Sequence, residues 1–112
     1  MDCLFCSIIK GDIPSQKVYE DEKCYAFKDI NPQAPVHFLV VPKLHIASAD
    51  AVDTSNASYV SHIFTVIPKI ASDNGLQNGY RIITNIGENG CQSVKHLHFH
   101  VLGGEKLSET MG

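Results

Sequence analysis

At 112 residues, with 44% hydrophobic and 19% charged side chains, the chain has material for one compact core and too little for two, so a single domain spanning residues 1–112 is expected. Its net charge of −3 comes without a basic cluster, which argues against a broad nucleic-acid interface and leaves room for a small anionic ligand. No apolar run approaches membrane-spanning length, and no repeat or low-complexity stretch is visible.

The N-terminal run Met1-Asp-Cys-Leu-Phe-Cys-Ser-Ile-Ile-Lys-Gly-Asp12 mixes acidic and polar residues into a short apolar stretch and carries no small-residue cleavage site. It does not read as a secretory signal, so a cytoplasmic location with reduced cysteines is expected. A short helix is predicted from about Leu4 to Ile9, closed by Gly11 and Asp12, with Pro14 at the exit. Strands follow near Lys17 to Glu20 and Cys24 to Asp29, separated by a polar hairpin turn. Asn31-Pro-Gln-Ala-Pro35 reads as a rigid loop, because each proline removes a backbone donor and biases its predecessor towards extended geometry. His37 to Pro42 is a third, densely apolar strand.

From about Thr54 to Asp73, apolar residues recur every three or four positions, as in an amphipathic helix. Asp53, Thr54 or Ser55 can cap its start and Asn74-Gly75 suits its end, while Pro68 predicts a bend. Strands at Tyr80 to Asn85 and His96 to Leu102 flank the loop Ile86-Gly-Glu-Asn-Gly-Cys-Gln-Ser-Val-Lys95. The sum is an α+β domain: a five-stranded antiparallel sheet with one long helix and a short N-terminal helix.

Half of the six histidines lie in His96-Leu-His-Phe-His-Val-Leu102, at every second position. On a strand these three imidazoles share one face, roughly 6.5 Å apart, while Leu97, Phe99 and Val101 share the other. Three readings are open. The face is solvated and incidentally rich in histidine; or His96 and His98 chelate a metal; or one imidazole attacks phosphorus while the others position it. Separately, Cys3-Leu-Phe-Cys6 has the spacing of half a tetrahedral zinc site, against the alternatives of a redox pair and of two ordinary buried cysteines.

The triad run, preceded by Gly90-Cys-Gln-Ser-Val94 and by the block Asp29-Ile-Asn-Pro-Gln-Ala-Pro-Val-His-Phe-Leu-Val-Val-Pro-Lys43, resembles the histidine triad (HIT) nucleotide-binding proteins, the Hint branch in particular. The likeness extends from about Cys3 to Gly104. It implies hydrolysis of a purine nucleoside phosphoramidate, such as an adenosine 5'-phosphoramidate, to AMP, with His98 as the nucleophile. By the same resemblance His100 donates to phosphate oxygens, His37 joins the cluster as a positioning or proton-relay residue, and Ser93 stabilises the leaving group. Asp29 would bind the ribose hydroxyls, Ile30 with Phe5, Ile8 and Ile13 the base, and Asn85 the phosphate or ribose side. Cys91 and Gln92 belong to the loop at the nucleotide, Cys91 standing where Hint relatives commonly have glycine.

The resemblance also completes the zinc set. Cys3 and Cys6 would be joined by His45, in Pro42-Lys-Leu-His-Ile46, and by His96, giving a structural ion and no catalytic metal. A homodimer is implied, two sheets joining and the long helices packing together. The tail Gly103-Gly-Glu-Lys-Leu-Ser-Glu-Thr-Met-Gly112 lacks the tryptophan that ends some Hint proteins, which bears on leaving-group preference. The competing functions are a metal-centred hydrolase or cupin-like oxygenase built on His96 and His98, for which Glu105 is the available carboxylate, and a nucleotide sensor that binds purine nucleotides without turnover.

Overall fold

The first helix, α1 (Leu4–Lys10), begins where Cys3 Sγ accepts from the Cys6 amide and ends at Gly11, whose φ of 86° needs a residue without a side chain. The computed structural model describes residues 3–111, so Met1, Asp2 and Gly112 of the expected 1–112 domain lie outside the described residues. After α1 come β1 (Lys17–Glu20), β2 (Cys24–Lys28), β3 (Val36–Pro42), a short 3-10 turn at Ala49–Ala51, α2 (Ala57–Asp73), β4 (Tyr80–Ile83) and β5 (Phe99–Gly103). The strands form one five-stranded sheet in the order β1-β2-β3-β5-β4, antiparallel throughout. This is the α+β architecture expected, and no described helix is long and apolar enough to cross a membrane.

Alternation along β2 and β3 feeds two separate cores, one on each face of the sheet. Phe38, Val40, Leu97, Phe99 and Val101 face α2 and pack against its buried stripe of Ile63, Val66, Ile67, Ile70 and Ala71. Tyr25, Phe27, Leu39 and Val41 point the other way, where Phe5 and Ile8 of α1 cover them. The thin covering on this second face leaves space beside α1, and the histidines open into it.

The differences from expectation have local causes. The residues from Thr54 to Asn56 form a turn before α2, because Asp53 Oδ1 accepts from the Ser55 and Asn56 amides and Asp53 O from the Ala57 amide. Asp53 therefore performs the expected capping one turn early. As expected, the helix is kept through Pro68, which sits on its solvent side. The last strand starts at Phe99 and not at His96, since the β3–β5 ladder ends at Val40↔Phe99 and Pro42 has no N–H to extend it. The Leu97 amide donates instead to Ile46 O at 2.6 Å.

Candidate active site and metal centre

His98 is 3% exposed and lies just ahead of β5, its ring aimed into the space beside α1. Its Nδ1–H donates to the carbonyl of His96 at 2.7 Å. That bond fixes the ring and leaves Nε2 as the nitrogen with a free lone pair. Phe5 packs edge-on against the ring at a centroid distance of 5.1 Å, and Thr84 Oγ1 donates to His98 O at 2.8 Å, so ring and backbone are both held. His100, one strand position pair further on, stands with its ring 5.1 Å from that of His98.

β3 supplies the partner. His37 Nε2 is 2.9 Å from His100 Nδ1, and the Gln33 amide donates to His37 Nδ1 at 3.0 Å. Asp29 follows β2 and brings Oδ2 to 3.4 Å from His37 Nε2 and 3.9 Å from His100 Nδ1, while its Oδ1 accepts from the Asn31 amide. Burial lowers the pKa of His37 despite the nearby Asp29 carboxylate. Burial, together with the neighbouring His98 and His37, pushes His100 down to about 4. Both shifts favour the uncharged imidazoles.

A cavity of about 260 Å³ runs along this row. Phe5, Ile8, Phe27 and Leu39 make its apolar wall, and Asp29, Ile30, Ser93, Val94, His98 and His100 line it too. It is close to the lower end of ordinary small-molecule sites, about 300–1,000 Å³. Phe5 and Ile8 thus serve both as core and as cavity wall, and Ile30, fully exposed, stands at the rim. Ile13 does not line this cavity; Pro14 and Ser15 take its place there. Phe27 and Leu39 are wall residues that no motif marks; their signal is the alternation that puts both on the strand faces opposite α2.

The loop before the triad turns several of its donors onto itself. The Gly87 amide donates to Gln92 Oε1, the Cys91 amide to Glu88 O and the Gln92 amide to Gly87 O, so these donors turn into the loop. Gln92 Nε2 donates to Ala47 O and Val94 O, and Asn85 Nδ2 to Gly90 O. Gln92 and Asn85 therefore hold the loop in shape, Asn85 lining a neighbouring cavity of about 460 Å³ with His37, His100 and Arg81. Gly90 is required: a Cβ there would lie 2.5 Å from Ile86 O. Cys91 is exposed, with φ at 62°, outside the cavity.

His96 turns away from the other two. Its Nδ1 lies 3.3 Å from Cys3 Sγ, 3.5 Å from Cys6 Sγ and 3.2 Å from His45 Nδ1, and Cys6 Sγ is 3.4 Å from His45 Nδ1. A tetrahedral zinc ion with ordinary bond lengths sets S···N edges of about 3.5 Å and N···N edges of about 3.3 Å, so the four donors fit one. The His96 Nε2–H donates to Pro42 O at 2.9 Å, which leaves Nδ1 bare for a metal, and the Cys6 amide donates to Cys3 Sγ. His96 and His98 do not converge on a common point, which removes the chelate built on that pair. Two other groups have metal-capable spacing, Asp29 with His37 and His100, and Asp21 with Cys24 and His62. In the latter, His62 of α2 pairs with Asp21 at 2.6 Å, a contact that sequence reasoning left unassigned.

A family profile described as "Scavenger mRNA decapping enzyme C-term binding" matches residues 2–112. A 14 kDa zinc-binding protein from Zea mays is 43% identical over 111 residues, covering 97% of this chain and 87% of that protein. Among solved structures, a HIT family hydrolase from Legionella pneumophila superposes with a TM-score of 0.95 at 41% identity, covering 99% of this chain and 100% of that one. A histidine triad protein from Clostridium difficile gives 0.94 at 52% identity, covering 99% and 97%.

Proposed function

The chain belongs to the histidine triad family, and from that premise we propose that it is a single-domain purine nucleoside phosphoramidase of the Hint branch. The observation that carries this reading is the His98 ring, buried, with Nδ1–H committed to His96 O and Nε2 left as a nucleophile on a cavity of nucleotide-like chemistry. The cavity offers an apolar slot for a base, the Asp29 carboxylate for ribose hydroxyls and imidazoles for a phosphate.

In the first step His98 Nε2 attacks phosphorus, a P–N bond to the ring forms, and the P–N bond to the leaving amine breaks as the amine takes a proton from solvent water, which the attacking water of the second step returns. Ser93, exposed beside His98, is suited to hydrogen-bond the departing nitrogen. Neutral His100 donates to a phosphate oxygen as charge builds in the pentacoordinate state. Water then attacks phosphorus, the bond to Nε2 breaks, and a nucleoside monophosphate leaves. Cys3, Cys6, His45 and His96 would hold a zinc ion whose chemistry is structural, since all four positions of a tetrahedron are taken by protein. The homodimer would form at the free edge of β4 and the neighbouring face of α2, where Phe64 is 47% exposed.

The test is turnover of adenosine 5'-phosphoramidate. The wild type should release AMP, and His98→Ala should abolish turnover while AMP binding stays measurable by calorimetry. Near-normal turnover by a folded His98→Ala variant would remove His98 from the nucleophile role. AMP binding by the wild type with no turnover would favour the sensor reading, and activity strictly dependent on added metal would favour a catalytic ion at Asp29, His37 and His100.

A further inference from the structure

Main-chain carbonyls place the ring protons of His96 and His98, and for His37 the main-chain group is the amide of Gln33. The Gln33 N–H points at His37 Nδ1 across 3.0 Å. An amide can only donate, so Nδ1 must present its lone pair, and a neutral His37 carries its ring proton on Nε2. That proton lies in the 2.9 Å contact with His100 Nδ1, with Asp29 Oδ2 as a second acceptor 3.4 Å away. His100 Nδ1 must then accept, and a neutral His100 has its proton on Nε2. The opposite direction, His100 Nδ1–H to His37 Nε2, would put a proton on His37 Nδ1 against the Gln33 N–H.

We propose that Gln33, through its main-chain amide, is a positioning residue that sets the direction of the His37–His100 hydrogen bond and thereby makes His100 Nε2 a donor towards the substrate phosphate and never a base. The proposal rests on the reading that His100 faces that phosphate. The sequence is suited to the task. Gln33 sits between Pro32 and Pro35 in a loop braced by the Asn31 amide to Asp29 Oδ1 at 2.8 Å, by Gln33 Nε2 to Asn31 O at 3.0 Å, and by the Asp29 amide to His37 O at 3.1 Å. A loop tied at both ends keeps the amide aimed.

Two measurements on the full chain test this. In 15N-labelled wild type at neutral pH without substrate, the imidazole nitrogens should report Nε2–H tautomers for His37 and His100 and Nδ1–H for His98, with a coupling across the hydrogen bond between the Gln33 amide nitrogen and His37 Nδ1. A His37 ring protonated on Nδ1 overturns the proposal. Gln33→Pro removes the N–H while Gln33→Ala retains it. With adenosine 5'-phosphoramidate, kcat of Gln33→Pro should lie about 5–10-fold below that of Gln33→Ala, the worth of one hydrogen bond, with KM within about twofold. Equal kcat in the two folded variants overturns it as well. The spectrum needs no substrate and no variant, so it decides the matter if Gln33→Pro misfolds, and a wild type that turns over no phosphoramidate would defeat the function reading without touching the tautomers.

Discussion

Ser93 and Gln92 are neighbours in one loop, yet their side chains have opposite employments. Ser93 is exposed on the cavity wall beside His98, whereas the Gln92 amide joins Gly87, Ala47 and Val94. Ser93→Ala should therefore leave stability nearly unchanged and slow substrates with poor amine leaving groups on the order of 10²-fold, the cost of one transition-state hydrogen bond. A substrate with an activated phenolate leaving group needs little help and should be slowed far less. Equal slowing of both, read from kcat/KM, would assign Ser93 to general phosphate binding. Gln92→Ala should instead lower unfolding stability by on the order of 1–2 kcal/mol, because three main-chain groups lose a partner and water replaces it only in part; urea denaturation measures this. The family resemblance puts Ser93 at the leaving group and Gln92 in the loop at the nucleotide, but the inward turn of the Gln92 amide to Ala47, 45 positions away, leaves no local pattern.

At the scale of elements, the β1–β2 hairpin is tied to α2 through Asp21. Its Oδ2 receives His62 Nε2 at 2.6 Å and Tyr19 OH at 2.8 Å, and its Oδ1 the Lys23 and Cys24 amides. Burial raises the Asp21 pKa, but the hydrogen bonds from His62, the Lys23 amide, Tyr19 and the Cys24 amide outweigh it, and the carboxyl titrates well below its ordinary range. A carboxylate depressed in the folded state adds stability that is fully present above its unfolded pKa, about 3.9, and is lost as pH falls towards the folded value. Asp21→Asn should thus be less stable than the wild type by on the order of 2 kcal/mol at pH 7. Denaturation repeated at decreasing pH should show that gap narrowing below about pH 4; a gap that holds constant would mean that Asp21 acts by shape alone. Strand and helix periodicities made the elements on either side of this tie legible, because their buried faces repeat at fixed spacing. The tie itself, between residues 41 apart, leaves no local pattern. The same holds for the site: the alternation of His96, His98 and His100 is readable, but the turn of His96 away from the other two depends on Pro42 ending the ladder and on cysteines 93 and 90 positions upstream.

For the whole molecule, the Cys3, Cys6, His45 and His96 cluster joins segments that have little else in common: the start of α1, the stretch after β3 and the approach to β5. α1 is only 7 residues long, too short to persist by itself, and it forms the wall of Phe5 and Ile8 over the second core. Zinc bound by these four donors would make α1 part of the fold, since ligand binding to the native state alone stabilises it by mass action. Protein purified without chelator should carry about one zinc per chain, measured by elemental analysis, with a tetrahedral two-sulfur, two-nitrogen shell in X-ray absorption. Chelation should lower Tm, and Cys3→Ser or Cys6→Ser should do the same without any chelator present. At moderate temperature the loss of activity should be smaller than the loss of stability, because His98 keeps its His96 carbonyl and Thr84 its bond to His98 as long as the sheet is intact. Metal-free protein that melts like the loaded form would leave the four donors as an ordinary buried cluster, and would return the anchoring of α1 to the apolar contacts of Phe5 and Ile8 alone.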